Sequence, residues 1–277
     1  MTATNRLRRR TFAAVFGTVA SLALTPLAAL ADPASPCTSV AATADGTIPT
    51  APACNVAGHA ALVEFGYNNT SIGGDAGFGV ASYPSATLRY GVSNALEFDL
   101  NGPAYQRVRT ASDVVAHGYG DAGLGLRYRV FDAGHLAVSA LGSATLPTGD
   151  AAFTAGKSQY ALGAAASYAL APTLSVQSSI AYDSRYLNGG FGPQWYKSYS
   201  PAVALVAGAP SATSLYVGGR GDTTVAPGLG PQYALDAGVR RQLGRSTVLD
   251  LGAEDGITTV EGQRAHGVSL ALSGLVR

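Results

Sequence analysis

Charge is what this sequence has least of. Charged residues make up 13% of the 277, about half the share of an ordinary soluble domain, which argues against a disordered chain, a coiled coil and a conventional cytosolic enzyme. The formal charge of +1 includes Arg6, Arg8, Arg9 and Arg10. If those four leave with a leader, 18 basic residues less four leaves 14 against 17 acidic ones, and no electrostatic footprint for nucleic acid remains. Beyond residue 31 no apolar window reaches the length of about 18 residues that a spanning helix needs. A membrane form of the mature chain therefore has to cross with strands. There are only two cysteines, and no P-loop, no H-E-x-x-H and no Cys/His zinc spacing, so neither a cofactor nor a metal is expected.

What is present begins with an address. The basic cluster Arg6 to Arg10 runs into the apolar stretch Phe12 to Leu30, broken by Pro26 and ending in Ala29-Leu30-Ala31 before Asp32. That pattern predicts a cleaved secretory signal peptide over residues 1–31, of the Sec type because Arg8 replaces the Ser or Thr of a twin-arginine motif. In an exported chain, Cys37 and Cys54 are expected to form a disulfide worth about 3 kcal/mol. The segment 32–57 then reads as a stapled periplasmic piece ahead of a domain over 58–277.

From His59 onward apolar and polar residues alternate with a period of two, interrupted by Gly, Pro, Asn, Asp and Ser clusters, and no helical stripe intervenes. In Leu96 to Asn101, for example, Leu96, Phe98 and Leu100 alternate with Glu97, Asp99 and Asn101. About twelve such strands can be read, each near the length a tilted strand needs to cross a bilayer. Their connections alternate short and long. Ser93-Asn94, Asp132 to His135, Ala171 to Thr173, Ala209 to Ala212 and Gln242 to Ser246 are short; Asn68 to Ala81, Gly102 to Gly120, Pro147 to Ser158, Ser184 to Ser198, Gly221 to Pro231 and Asp255 to Ala265 are long. A soluble sandwich has no reason to keep that rhythm, whereas outer-membrane barrels have short periplasmic turns and long outer loops. The fold class is thus an all-β antiparallel transmembrane barrel of the bacterial outer membrane. Its expected partners are outer-membrane lipid, the barrel-assembly machinery and a small-molecule solute.

With the apolar set facing lipid, charge falls inward. The tight turn at Ser93-Asn94 puts Arg89 opposite Glu97 and Asp99 near the periplasmic end, and the next strand brings Arg127 and Arg129 to the same depth. Asp236, Arg240, Asp250 and Glu254 are further inward charges, with Arg240 near Asp250 across the turn at Gln242 to Ser246. Two readings stay open: these charges pair and hold a narrow barrel shut, or they form a constriction that selects what passes.

Catalytic readings find less support. Gly118-Tyr119-Gly120-Asp121-Ala122-Gly123 matches G-x-G-x-x-G but leads into a strand, not a helix. His117 and His266 fall near the outer rim, where a lipid-modifying enzyme would need them, yet neither has an evident Ser partner with an Asn or Asp orienter nearby in sequence. Tyr67, Tyr90, Tyr128, Tyr160, Tyr168, Tyr182, Trp195 and Tyr233 suit aromatic girdles.

Three segments carry a resemblance: Gly118-Tyr119-Gly120-Asp121 with the strand Gly123 to Arg129, then Leu146-Pro147-Thr148-Gly149-Asp150, then Asp250-Leu251-Gly252 leading to Asp255-Gly256. Their order and spacing resembles the bacterial outer-membrane family named for the phenol meta-cleavage pathway, over roughly Pro84 to Val276. That resemblance implies a barrel passing small, often aromatic or hydrophobic compounds. The chain departs from usual barrels in ending Leu275-Val276-Arg277 without a terminal aromatic. The leading expectation is a passive channel, with a plugged structural or surface-interaction barrel as alternative and a rim lipid-modifying enzyme third.

Overall fold

A computed structural model describes residues 36, 37, 39–73, 77–109, 114–187, 192–208, 212–258 and 264–276. The expected signal peptide lies outside the described residues. The described residues form fourteen strands: β1 (Ala61–Ile72), β2 (Phe78–Gly91), β3 (Leu96–Asn101), β4 (Tyr105–Arg109), β5 (Val114–Tyr119), β6 (Ala122–Ala133), β7 (Leu136–Leu146), β8 (Gln159–Ala171), β9 (Leu174–Leu187), β10 (Gln194–Gly208), β11 (Thr213–Asp222), β12 (Gln232–Leu243), β13 (Thr247–Gly256) and β14 (Ala265–Val276). All pairings are antiparallel, and β1 pairs with both β14 and β2, which closes the ring.

The wall nevertheless has twelve strands. β3 and β4 both pair with β2 in one register, Thr87 opposite Asn101 and Gly79 opposite Arg109. β6 pairs with β3 and β5 with β4 in a second shared register, Asn101 opposite Gly123 and Tyr105 opposite Tyr119. Each couple is one strand with a break, at Gly102-Pro103-Ala104 and at Gly120-Asp121. The sequence reading of 102–120 as a loop is corrected by this: Gly and Pro mark an interruption, after which the strand pair resumes. The expected loop over 68–81 is likewise mostly strand, since Asn68 to Ile72 pair with Ser82 to Phe78.

The period-two pattern sorts the faces as lipid requires. Phe98 and Leu100 are half exposed while Glu97, next to Phe98, is fully buried, and Leu251 is exposed next to buried Asp250. In water that arrangement would be inverted; it is stable where the outside is hydrocarbon and every backbone group is paired around a ring without edges.

At the break in the wall the resembling segments meet. The Asp150 carboxylate accepts from Tyr119 N–H at 2.7 Å, and Asp150 N–H donates to Tyr119 O at 2.8 Å. Asp121 accepts from the N–H groups of Gly149 (2.9 Å) and Ala155 (3.0 Å), while Thr148 Oγ1 accepts from Ala122 N–H at 2.9 Å. Ladder groups exposed where β5 gives way to β6 are thus satisfied by the Leu-Pro-Thr-Gly-Asp segment, a clasp that explains why both motifs carry an Asp. Changing Asp121 to Ala leaves two amides without acceptors, at about 1–3 kcal/mol. Trypsin cleavage after exposed Lys157 should then accelerate several-fold while the barrel keeps its heat-modifiable gel mobility; unchanged cleavage would show that the clasp does not hold the loop.

Candidate functional site in the barrel lumen

Inward charge at the turn-side end of the barrel cannot remain unpaired, and the chain ahead of β1 supplies its partners. The described part of the segment read as a stapled periplasmic piece packs against the inner wall. It contains one short helix, α1 (Val40–Thr43), capped by Ser39, whose hydroxyl accepts from Ala42 N–H at 3.2 Å. Cys37 and Cys54 form the expected disulfide, with Cα atoms 5.3 Å apart. The bond ties the two ends of an irregular loop together before any barrel contact is counted.

Arg89 is the centre of the contacts. Its fully buried guanidinium meets Glu97 at 2.7 Å, Asp45 at 3.4 Å, Asp99 at 3.6 Å and Glu64 at 3.7 Å. It also donates to the carbonyls of Thr43 and Cys54. Arg127 donates to Pro52 O at 2.5 Å and stands 3.6 Å from both Asp45 and Glu97. Glu97 accepts from Val56 N–H, and Ser139 Oγ donates to Ala53 O at 2.6 Å. Asn55 donates to Ala95 O at 2.9 Å. An irregular segment inside a barrel has carbonyls with no ladder to join; arginine, with five donors, can satisfy several at once and still pair with carboxylates.

A second anchor lies on β12 and β13, on the other side of the β1–β14 seam. Arg240 is paired with Asp250 at 2.6 Å and donates to Ala41 O and, at 3.1 Å, to Asp45 O. The Tyr216 hydroxyl donates to Thr47 O at 2.8 Å. Between these contacts sits Gly46, at φ +57°, where an added Cβ would lie 2.3 Å from both Arg240 Nη2 and Asp250 Oδ2. Only glycine lets the chain turn there. At the exit, a Cβ on Gly91 would lie 2.2 Å from Ala57 O, so the wall is hollowed to let the segment pass. A third wall contributes Gln177 and Ser179, which accept from Thr50 Oγ1 (3.1 Å) and Ala51 N–H (3.2 Å).

The structure therefore brings Arg89, Glu97, Asp99 and Arg127 together around an inserted chain. Arg129 departs from them: it pairs with Asp132 at 2.7 Å and reaches Asn55 O at 3.5 Å. Arg240 and Asp250 pair as the turn implies, whereas Asp236 and Glu254 both face Arg220, Asp236 at 3.5 Å. Asp45, Thr43, Thr47 and Asn55 were missed, because no periodic pattern marks an irregular segment. Gly46 and the nearby cysteines were the available signals.

On the loop side of the inserted segment the inner face stays polar. A cavity of about 320 Å³ takes its polar lining from Ser143, Thr145, Gln159, Asp183 and Arg185. Arg185 also meets Asp222 at 2.8 Å, and the Ser200 hydroxyl lies 2.5 Å from Asp183 and 2.6 Å from Asp222. At the outer rim, His266 Nδ1 lies 2.7 Å from Asp255, and Ser71 stands opposite His266 across β1 and β14. That row was invisible along the sequence because its members belong to three strands. His117 packs its ring against Tyr105, 6.1 Å between centroids. Among the described residues no group of side chains has the composition of a metal site.

Residues 56–273 match the family described as "Putative MetA-pathway of phenol degradation". No curated protein matches the sequence. Among solved structures, the COG4313 outer membrane channel from Pseudomonas putida F1 aligns with 80% of this chain and 97% of its own, at 16% identity and TM-score 0.60. The NanC porin aligns with 76% of this chain and 98% of its own, at 8% identity and TM-score 0.54. The translocator domain of autotransporter NalP from Neisseria meningitidis aligns over 79% and 89%, at 13% identity and TM-score 0.52. The fold is that of outer-membrane barrels.

Burial would raise the Asp45 carboxyl, but Arg89, Arg127 and Arg240 outweigh it and hold its pKa below the usual value. Because the folded value is the depressed one, ionised Asp45 stabilises the inserted segment at pH values above its unfolded pKa, about 3.9. That contribution fades as pH falls through the folded value. Gly46→Val, which combines a disfavoured φ with a collision at Arg240, should raise amide exchange over residues 41–50 by about tenfold, equivalent to about 1.4 kcal/mol of local opening. Protection in β6 to β9 should be unaffected. Equal exchange in variant and parent would mean that Arg240 does not anchor the segment.

Proposed function

This chain belongs to the family described as "Putative MetA-pathway of phenol degradation", and on that premise we propose that it is a passive channel for small molecules. It works in the bacterial outer membrane, reached through a cleaved leader and seated by the barrel-assembly machinery, with its apolar face in lipid. The observation that carries this reading is the interior. Above the inserted segment the wall presents Ser143, Thr145, Gln159, Asp183 and Arg185 around open volume, not the interlocked apolar side chains of a filled small barrel. Such a lining favours a polar solute over the aromatic or hydrophobic one that the sequence resemblance implies, since an apolar solute gains nothing by leaving water for it.

Residues 39–60 fill the turn-side end of the lumen with contacts to several wall strands, so Arg89, Glu97, Asp99, Arg127 and Arg240 act on passage through the segment they hold. A plugged barrel without transport draws on the same contacts and is distinguished by flux. In planar bilayers the full mature chain should give small conductance steps, and deletion of residues 36–55 should enlarge them several-fold. A silent deletion variant that is folded and inserted would sink the channel reading in favour of the plugged one.

The reading assigns no catalysis. Ser71, His266 and Asp255 form a row on the outer face, but no side-chain hydrogen bond joins Ser71 to His266, and the His266 side chain is 50% exposed. A nucleophile needs its base within hydrogen-bond reach. Purified protein should hydrolyse neither short-chain esters nor phospholipid above background, and Ser71→Ala should change nothing; Ser71-dependent hydrolysis would establish the enzyme.

A further inference from the structure

The resumed strand pair β4 and β5 rises beyond the breaks in the wall, and its outward face is organised in layers. The lowest is aromatic. Tyr67 on β1, Tyr83 on β2, Tyr105 on β4 and Tyr119 on β5 form one row across four strands, with ring centroids 6.0, 5.7 and 5.4 Å apart in turn. Tyr119 is 54% exposed, so the row lies on the outside. Below it the outward residues Phe65, Leu100 and Leu124 are apolar and exposed. Above it the character changes to cationic.

Arg107 and Arg109 follow Tyr105 at intervals of two, on the same face, about 7 and 13 Å further along the strand. Arg107 stands opposite Ala81 and His117, and Arg109 opposite Gly79. Neither arginine has an ion pair or hydrogen bond with any described residue. The described outward residues of β1, β2, β4 and β5 include no carboxylate. Two guanidiniums with no partner among the described residues, directly above an aromatic belt, stand where hydrocarbon gives way to headgroups.

From this layering we propose that the outward face of β4 and β5 is a binding site for a phosphorylated glycolipid of the outer leaflet. Arg107 and Arg109 fork onto its phosphate oxygens, and the tyrosine row lies against the sugar and the first part of the acyl chains. Arginine suits the role because its planar donors match phosphate bidentately. The aromatic row supplies the amphipathic layer such a molecule spans. The site is on the outer surface and stands whether or not the lumen conducts.

The test uses the full mature chain, folded in detergent and titrated with bis-phosphorylated lipid A, with the same glycolipid stripped of phosphate, or with inorganic phosphate alone. Native mass spectrometry counts bound lipid. The parent should retain the phosphorylated form about tenfold better than the stripped form, and Arg107→Gln with Arg109→Gln should abolish that preference. Arg245→Gln, in the opposite-end turn, should keep it. Each arginine variant is also made singly and checked by heat-modifiable mobility, so loss of binding is separated from loss of fold. No preference in the parent, or a preference surviving in the folded double variant, overturns the proposal. Inorganic phosphate displacing the glycolipid from the parent at equal concentration would make the site a simple anion site and overturn the lipid assignment.

Discussion

A guanidinium taken fully out of water has to be given counter-charge and acceptors on every side, and Arg89 is in that position. Its register opposite Asp99, with Glu97 at 2.7 Å, follows from the tight turn between β2 and β3. The wall carboxylates Glu97, Asp99 and Glu64 do not use up its donors. The remainder are met by Thr43 O, Asp45 and Cys54 O, all from chain that precedes the barrel. The inserted segment is in this sense required by the wall: without it Arg89 would face an empty lumen and the carbonyls of residues 43–55 would have no donors. Buried pairs of this kind contribute little net stability when intact, but removal of one member costs about 3–5 kcal/mol because the other is left charged and dry. They specify an arrangement more than they strengthen it.

Much of this architecture is legible in the sequence, for a physical reason. A strand in a ring with lipid outside has to alternate strictly, so Leu96 to Asn101 and Gly123 to Arg129 disclose both their faces and their pairing. Turn length then discloses the orientation. The inward positions of Arg89, Glu97, Arg127, Arg240 and Asp250 could be written down from register alone. Three things could not. The resumption of pairing past Gly102-Pro103 is hidden because Gly and Pro read as loop. The row Ser71, His266 and Asp255 joins residues whose proximity exists only after the ring closes. Asp45 lies in a stretch without period, and its place is decided by the arginines that it meets.

The two motifs that carry the family resemblance turn out to be one device. Asp150 accepts from Tyr119 N–H and Asp121 from Gly149 N–H, each side chain serving the other's segment where β5 passes into β6. A break in the ladder there lets the strand pair continue past the membrane surface while the lumen mouth is bounded by the 147–158 segment. Sequence likeness at these positions therefore reports on how the mouth is built, and the lining at Ser143, Thr145 and Gln159 is free to differ.

The inserted segment is continuous with β1, and β1 forms one side of the seam with β14. No ring exists until that last pairing is made, so the filling of the lumen and the closing of the wall are events on a single strand. With Cys37 and Cys54 joined, the segment is a compact knot, not a thread. A finished barrel would have to admit it through the turn-side opening, whereas a sheet still curling can fold around it. The charges at Arg89 and Arg240, four strands apart around the ring, then meet through Asp45, so the segment serves as a mandrel that ties the two sides of the seam to one another.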